Sequence, residues 1–283
     1  MPEIKVIETV KEMQSWSRAE KTAGRGVGCV PTMGYLHEGH LSLIRECGRH
    51  AQSVVMTLFV NPAQFAPHED LARYPRDFEG DCKKASAAGA HAVFYPSVAE
   101  MYPQGYQTYV TVEEVSKDME GEFRPAHFRG VATVVLKLFN AVRPEFAVFG
   151  EKDYQQFKVI ERMVKDLDLG IEIAGLPTIR EPDGLAMSSR NVYLSPEQRK
   201  QALSISRSLF EAREAAQKGE REVASLIKAA VKHLVEAGLS IDYLEVRDAE
   251  TLEKIERIER PARMLIAARV GPVRLIDNLE LVF

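Results

Sequence analysis

The chain has 283 residues, of which 45% are hydrophobic, 28% charged and 8% aromatic, values typical of a globular protein and not of a disordered one. Its length allows one large domain or two smaller ones, with enough buried surface for a core that needs no disulfides or metals. Its 37 Lys and Arg against 41 Asp and Glu give a net charge of −4, which argues against a general nucleic-acid binder, because such proteins usually carry a basic surplus.

The first residues of the chain and its cysteines indicate the cellular compartment of the protein. Met1 to Trp16 is rich in Glu and Lys and lacks the apolar core of a signal peptide. The longest charge-free run, near residues 50–68, is interrupted by prolines and predicts a buried strand with its exit loop, not a membrane span. Cys29, Cys47 and Cys82 are odd in number and form no CxxC pair, which is typical of free thiols in a reducing compartment. We expect a cytoplasmic protein with no membrane segment.

The first part of the chain alternates short apolar runs with helical patterns. Strands that alternate with helices of this length need crossover connections, which produce a mainly parallel sheet. The predicted elements, in chain order, are a strand at Val27–Val30, a helix at Gly39–His50, a strand at Ser53–Val60, a helix at Asp77–Ala88, a strand at Ala90–Tyr95, a helix at Val131–Val142, a strand at Glu145–Phe149 and a helix at Lys152–Leu167. The sequence therefore predicts an α/β fold.

The pattern changes from Ser195 onward. Ser195 and Pro196 are typical of a helix start, with Ser as the N-cap and Pro at the first helical position. Helices followed by strands suggest a smaller α+β domain. A second helix is predicted at Glu222–Glu236, and strands at Ile241–Val246 and Met264–Val270, with Leu275 and Ile276 as a further pairing segment. We place the domain boundary within Pro177–Gly184.

Ligands of open parallel sheets bind at the carboxyl ends of the strands, so the polar residues that follow each predicted strand are candidate site residues. His37 and His40, at a predicted helix start, lie on one face beside unpaired backbone N–H groups, and Gly34 and Gly39 permit close backbone approach. Such a corner favours an anion. The alternative is that one histidine caps the helix while the other packs in the core. The HExxH pattern of a zinc protease needs a spacing of four, not three.

Two further clusters follow later strands. Asn61 and Gln64 flank an Asn-Pro turn, which indicates either plain turn chemistry or an amide pair that binds a small polar ligand. Lys152 stands at a strand-to-helix turn, where its charge suits a phosphate, with Asp153 beside it and Gln156 one turn on. The alternative for this cluster is a solvated helix start.

Two basic segments are candidate lids. Asp183–Asn191, at the proposed domain boundary, combines two hydroxyls and Arg190 with the nearby Gly184, which indicates either a mobile phosphate clamp or a polar linker. Arg124, His127 and Arg129 form either a second lid or a basic surface loop.

These clusters match, in order, a known family. His37–His40 resembles the HIGH signature of the nucleotidylyltransferase and class I aminoacyl-tRNA synthetase superfamily, and Met187–Arg190 resembles its KMSKS loop. From about Val27 to Leu194 the chain is similar to the pantothenate synthetase (pantoate–β-alanine ligase) family, with Ala126 a departure where glycine is expected. The strings that carry this resemblance are PTMGYLHEGH, FVNPAQF, YPRD, HFRGVATVV, FGEKDYQQ and DGLAMSSRN. It implies a Rossmann-like parallel-sheet catalytic domain at residues 1–180 and a smaller α+β lid domain at residues 181–283.

The resemblance also implies a reaction. ATP and pantoate would form pantoyl adenylate and pyrophosphate, and the amine of β-alanine would then displace AMP to give pantothenate. Both steps place negative charge on phosphate oxygens, so fixed donors and cations matter most. Implied cofactors are ATP and Mg²⁺, with no Mg²⁺ ligand identified, and the implied assembly is a homodimer with no nucleic-acid or membrane partner.

Residue roles follow from motif position within this resemblance. Catalytic roles are implied for His37, His40, Lys152, Ser188, Ser189 and Arg190, with His40 as the proton donor of the family. ATP contacts are implied for Met33, Gly34, Tyr35, Leu36, His37, Glu38, Gly39, His40, Gly150, Glu151, Lys152, Asp153, Ile179, Met187, Ser188, Ser189 and Arg190. Pantoate contacts are implied for Gln64, Gln156 and Asn61, with Gln64 also touching β-alanine.

Two other functions share parts of this pattern. Another adenylyl- or cytidylyltransferase would keep the HxGH corner, although a tRNA partner usually requires a larger and more basic C-terminal part. A non-catalytic nucleotide-sensing module would keep the glycines but would not need Lys152, Gln64 and Gln156 together.

Overall fold

The computed structural model describes residues 4–67 and 69–282, so Met1–Glu3, His68 and Phe283 lie outside the described residues. The chain divides into two compact units. The first consists of Met1–Glu151 and Val159–Pro177, and the second of Lys152–Lys158 and Thr178–Phe283. The division at residue 180 stays a prediction.

The first unit is built on a six-stranded parallel sheet. Its strands are β1 (Lys5–Ile7), β2 (Val27–Thr32), β3 (Ser53–Leu58), β4 (Ala92–Phe94), β5 (Phe146–Gly150) and β6 (Glu172–Leu176). They lie in the order β1-β4-β3-β2-β5-β6, and every neighbouring pair is parallel. The predicted α/β class is confirmed. β1 and β6 were not predicted from the sequence, because the three residues of β1 are too few to show a pattern and β6 is only partly buried.

Helices cover this sheet closely. They are α1 (Val10–Thr22), α2 (Glu38–His50), α3 (Phe78–Ala88), α4 (Val98–Met101), α5 (Glu120–Phe123), α6 (His127–Val142) and α7 (Tyr154–Asp166), of which α7 begins in the second unit and ends in the first. Gly28 of β2 shows how tightly α2 packs, because a Cβ there would lie 2.3 Å from Cys47 Sγ. All six residues of β3 are buried, as expected for a strand with both faces covered.

The second unit adds two helices and an antiparallel sheet. The helices are α8 (Pro196–Gln217) and α9 (Val223–Glu236), and the strands β7 (Ser240–Asp248), β8 (Ala262–Val270) and β9 (Val273–Leu281) pair in the order β7-β8-β9. The predicted helix start is confirmed, since Ser195 Oγ accepts from Gln198 N at 3.2 Å and Gln198 Oε1 accepts from Ser195 N at 2.9 Å. This α+β unit agrees with the predicted C-terminal architecture.

The apolarity of the helices and the state of the cysteines are two further features of the fold. Within residues 4–67 and 69–282, no helix has both the length and the apolarity needed to cross a membrane. Cys29, Cys47 and Cys82 are free thiols, and the first two are buried.

Candidate active site

The topology of the first sheet creates a crevice at β2. The chain leaves β2 toward β3 on one side, whereas β5 lies on the other side and continues to β6. Loops that leave neighbouring strands in opposite directions open a ligand crevice at the carboxyl edge of the sheet. The His37–His40 corner follows β2 directly, at this point of divergence.

A buried carboxylate shapes the loop between β2 and α2. Asp81 of α3 accepts hydrogen bonds from the backbone N–H groups of Tyr35 and Leu36, both at 2.7 Å. Gly34 has φ +87° and Tyr35 φ +53°, and a Cβ on Gly34 would lie 2.9 Å from Asp81 Oδ2. Burial raises the pKa of the Asp81 carboxyl, while the two backbone donors act in the opposite direction. Asp81 was not predicted as a site residue, because its partners lie 45 and 46 residues away in the sequence.

The two histidines at the start of α2 cap the helix with their Nδ1 atoms. His37 is the N-cap of α2, and its Nδ1 accepts from Gly39 N at 3.2 Å. His40 Nδ1 accepts from His37 N at 3.3 Å, and the two ring centroids are 4.1 Å apart. A neutral imidazole whose Nδ1 accepts must carry its proton on Nε2. Both rings therefore cap the helix, and neither is packed in the core, so the alternative of one core histidine is wrong, while anion binding stays a prediction.

Asn61 fixes the amide of Gln64. Asn61 is 1% exposed, and its Nδ2 donates to Gln64 Oε1 and to Gly130 O, both at 3.1 Å. Its Oδ1 accepts from Ala63 N at 3.2 Å and from Tyr102 Oη at 2.8 Å. These four bonds use the full capacity of an asparagine amide. With Oε1 held in this way, Gln64 directs Nε2 toward Met33 Sδ, 3.1 Å away.

A second network supports the backbone of Gln64. His127 Nδ1 lies 3.0 Å from Gln64 O, and Arg124 Nη1 lies 3.2 Å from His127 Nε2. Arg124 forms a two-pronged ion pair with Glu69, at 2.7 and 2.8 Å. Burial first, and next the Arg124 guanidinium, lower the pKa of His127 to about 4. The neutral ring donates to the Gln64 carbonyl and accepts from Arg124. This arrangement differs from the exposed basic loop or lid predicted for this segment, because α6 already begins at His127.

A cavity borders the β2 loop. It has a volume of about 490 Å³ and lies at the carboxyl ends of strands in the first unit. Met33, Gly34 and Asp81 form one wall, and Arg76 and Glu100 contribute charges. The cavity therefore reaches the start of the loop between β2 and α2, at Met33 and Gly34, and is not lined by His37 or His40.

The predicted residues fall into two sets, one on each unit. Met33–His40, Asn61, Gln64, Gly150 and Glu151 belong to the first unit, and the structure joins Met33 to Gln64 within it. Lys152, Asp153, Gln156, Ile179, Met187, Ser188, Ser189 and Arg190 belong to the second unit.

Lys152 lies in a 3₁₀ turn, Glu151–Asp153, and not in the helix predicted for it. Its Nζ is 3.9 Å from Asp153 Oδ2, and its carbonyl accepts from Asn278 Nδ2 at 2.8 Å. Gln156 is half-buried in the first turn of α7. The turn presents the Lys152 side chain from a backbone that is held at its carbonyl.

The segment that resembles a KMSKS loop ends a small hairpin. Met187 N donates to Ile179 O at 2.9 Å, and Arg180 pairs with Ala186 in an isolated bridge. Ser188 then caps a 3₁₀ turn, with its Oγ accepting from Arg190 N at 3.2 Å. The hairpin thus brings Ile179 and Met187 together, and their ATP contacts stay a prediction. Among the residues that the structure describes, no three His, Cys, Asp or Glu side chains are grouped to hold a metal ion.

Comparison with known proteins gives one family. The family model of pantoate–β-alanine ligases matches residues 5–280. A pantothenate synthetase of Myxococcus xanthus (strain DK1622) is 55% identical over 279 residues, which are 98% of this chain and 96% of the relative. The crystal structure of pantothenate synthetase from Thermus thermophilus is 47% identical, covers 99% of this chain and 100% of its own, and has a TM-score of 0.94.

A structure with bound ligands is also similar. The pantoate–β-alanine ligase of Francisella tularensis, complexed with "Beta-gamma ATP" and β-alanine, is 30% identical, with coverage of 98% and 97% and a TM-score of 0.79. The parallel sheet and the smaller antiparallel sheet agree with the solved pantothenate synthetase folds. Because the family model and the relatives cover nearly the whole length, the chain belongs to the pantoate–β-alanine ligase family.

Proposed function

We propose that this chain condenses pantoate with β-alanine at the expense of ATP, producing pantothenate, AMP and pyrophosphate. The observation that carries the proposal is the imidazole pair, in which both Nδ1 atoms accept from backbone N–H groups. Two imidazoles beside a helix N-terminus are an arrangement suited to phosphate oxygens. Family membership supports the choice of substrates.

In the first step a pantoate carboxylate oxygen attacks the α-phosphorus of ATP. The bond from that phosphorus to the bridging oxygen breaks, and pyrophosphate leaves with the electron pair. Lys152, Ser188, Ser189 and Arg190 are the proposed donors to the phosphates, together with the two imidazoles. A hydrogen bond from the His40 imidazole is the role proposed for it, and Mg²⁺, when bound with ATP, would supply further neutralisation of phosphate charge. Fixed donors at the developing charge are the largest expected source of rate enhancement.

In the second step the neutral amine of β-alanine attacks the acyl carbon of pantoyl adenylate. The bond from the acyl carbon to the AMP oxygen breaks, and the amine nitrogen releases one proton as the amide forms. AMP is the leaving group, so the same donors to its phosphate assist departure.

Pantoate recognition is assigned to the amides of Gln64 and Gln156. We propose that Asn61 acts by orienting Gln64, because its own hydrogen bonds are all made within the chain. A fixed amide discriminates strongly, since a substrate without the matching hydroxyl would leave a buried polar group unpaired. The remaining ATP contacts follow the motif positions given by the sequence.

Mg²⁺, the homodimer and the cytoplasmic location belong to this proposal as well. We propose that Mg²⁺ arrives with ATP, since it is commonly held by substrate phosphates with one or two carboxylates. The family resemblance supports a homodimer, which light scattering on the purified protein tests, and the three free thiols support the cytoplasm.

The direct test is a product assay with purified protein, ATP, Mg²⁺ and pantoate, with and without β-alanine. We expect multiple turnovers only when both acids are present, with one AMP formed per pantothenate. ATP binding without AMP release under any of these conditions would instead favour a nucleotide-sensing module.

The role of Lys152 has its own test. Lys152→Ala should lower kcat ~100- to 1000-fold, the usual scale for removing one transition-state donor. Lys165→Ala, an exposed change near the end of the helix that follows this turn, is the matched control and should retain the wild-type rate. A near-normal rate for Lys152→Ala would remove this lysine from the mechanism.

A further inference from the structure

Two adjacent polar residues are buried in the strand β9. Asp277 and Asn278 are each 3% exposed, inside the antiparallel sheet of the second unit. Burying a carboxylate and an amide is costly unless each is fully hydrogen-bonded. The side chains of Asp277 and Asn278 each form hydrogen bonds with a segment outside the sheet, and the two segments are different.

Asp277 holds the hairpin that precedes Ser188. Its two oxygens accept from the guanidinium of Arg180, with Nη1 at 2.6 Å and Nη2 at 3.0 Å. The same guanidinium donates to Gly184 O at 3.2 Å and lies 5.0 Å from the ring centre of Phe210. Arg180 lies in one arm of the hairpin and Gly184 in its turn, so the two-pronged Arg180–Asp277 ion pair (the fork) fixes both the arm and the turn to β9.

Asn278 holds the turn that carries Lys152. Its Nδ2 donates to Lys152 O at 2.8 Å, and its Oδ1 accepts from Arg263 Nη1 at 2.6 Å. Arg263 lies over the ring of Tyr154, 3.7 Å from its centre, and Tyr154 Oη donates to Ala249 O at 2.7 Å. The amide of Asn278 is therefore oriented by Arg263 on one side and anchors the Lys152 backbone on the other.

The two anchors share one backbone. Asn278 N donates to Asp277 Oδ1 at 2.7 Å, so the carboxylate is held by its neighbour as well as by Arg180. The charge of Lys152 also acts on Asp277, where it opposes the rise in pKa that burial causes. Apolar residues would fill the sheet at lower cost, which suggests that this pair has a purpose other than stability.

We propose that Asp277 and Asn278 are positioning residues that hold two phosphate-contacting segments, Lys152 and Ser188–Arg190, in register on one strand. This inference rests on the proposed function, which assigns both segments to ATP. A displacement of about 1 Å in a positioned group can lower a rate about 100-fold, so modest loosening of either anchor has a measurable effect.

The test uses the whole chain and two variants for each anchor. Asn278→Ala and Asn278→Asp both remove the donor to Lys152 O, but the aspartate keeps an oxygen for Arg263. Asp277→Asn and Arg180→Lys both break the fork. We expect each to lower kcat about 10- to 100-fold, with the pantoate KM within about twofold of wild type. Asp242→Asn is the matched control, because Asp242 pairs with Arg269 and Arg274 of the same sheet instead of with either segment.

A double-mutant comparison separates positioning from a general structural effect. If Asn278 acts through Lys152, Asn278→Asp should cost little further rate in a chain that already carries Lys152→Ala. Full additivity of the two losses would overturn the proposal for Asn278. Unchanged kcat in folded Asn278→Asp and Arg180→Lys, or an equal loss in Asp242→Asn, would overturn it altogether. A wild-type chain that makes no pantothenate would instead refute the proposed function.

Discussion

Asp81→Asn tests how the first-unit corner is held together. Each carboxylate oxygen of Asp81 accepts one backbone N–H, from Tyr35 and from Leu36. An amide has only one oxygen, so its NH₂ group must face the other N–H donor. The substitution hardly changes the volume of the side chain, and the packing around Gly34 is therefore kept.

The expected magnitude follows from the lost bond. A hydrogen bond to a charged group contributes about 1.5–3 kcal/mol, and an unpaired buried donor costs a similar amount. We expect the free energy of unfolding of the first unit to fall by about 2–4 kcal/mol, which corresponds to a Tm lower by about 5–10 °C. Because Tyr35 has a left-handed φ of +53°, the released loop should relax and move His37. The rate should fall about 10- to 100-fold.

Two assays on the same preparation check this expectation. Thermal unfolding gives Tm, and the coupled formation of AMP and pantothenate at a temperature well below Tm gives kcat. Glu79→Gln is the control, because it removes an exposed carboxylate from the first turn of the same helix. If Asp81→Asn kept Tm within about 1 °C and kcat within twofold of that control, the corner would not depend on this carboxylate.

Three further predictions concern the support of Gln64. His127 has a pKa of about 4 when folded and about 6.5 when unfolded, so the unfolded chain binds the extra proton as the pH falls between these values. Unfolding free energy should therefore drop by about 2 kcal/mol from pH 7.5 to pH 5, and urea titrations should show that His127→Gln lacks this part of the drop. Gly130→Ala places a Cβ 2.3 Å from Ala63 O and should destabilise the chain by about 1–3 kcal/mol. Gly48→Ala, whose added Cβ has its nearest contact at 3.9 Å, is the control and should not destabilise it. Equal Tm values for the two variants would contradict the close approach at Gly130. Gln64→Ala should raise the pantoate KM far more than the ATP KM, and equal effects on both would end its substrate role.

The fold was predictable where the pattern was local. The buried run of β3 and the capped start of α8 are each recognisable from a few consecutive residues. Such local patterns predict the fold class, and they also predict where each strand ends and the polar clusters follow. His37 and His40 both cap α2 through Nδ1, and a capping histidine at a helix start has the same sequence signature as an anion-binding one. Sequence pattern alone does not separate these two uses.

The contacts that were not predicted from the sequence join residues that are far apart in the chain. Asp277 meets Arg180 across 97 residues, and Asn278 meets Lys152 across 126. No spacing in the chain relates such pairs, and a polar residue in a strand looks like an exposed one until its neighbours are known. The arrangement of the segment before α6 was not predicted for the same reason, because Arg124 pairs with Glu69, which lies 55 residues earlier in the chain.

Oxygen transfer from substrate to product tests the central claim most directly. With ¹⁸O in both carboxylate oxygens of pantoate, attack on the α-phosphorus of ATP must leave one labelled oxygen in AMP and one in pantothenate. We predict one ¹⁸O per AMP, measured by mass spectrometry on the products of a complete reaction. Unlabelled AMP, with ¹⁸O found instead in phosphate or pyrophosphate, would contradict an adenylate formed at this site.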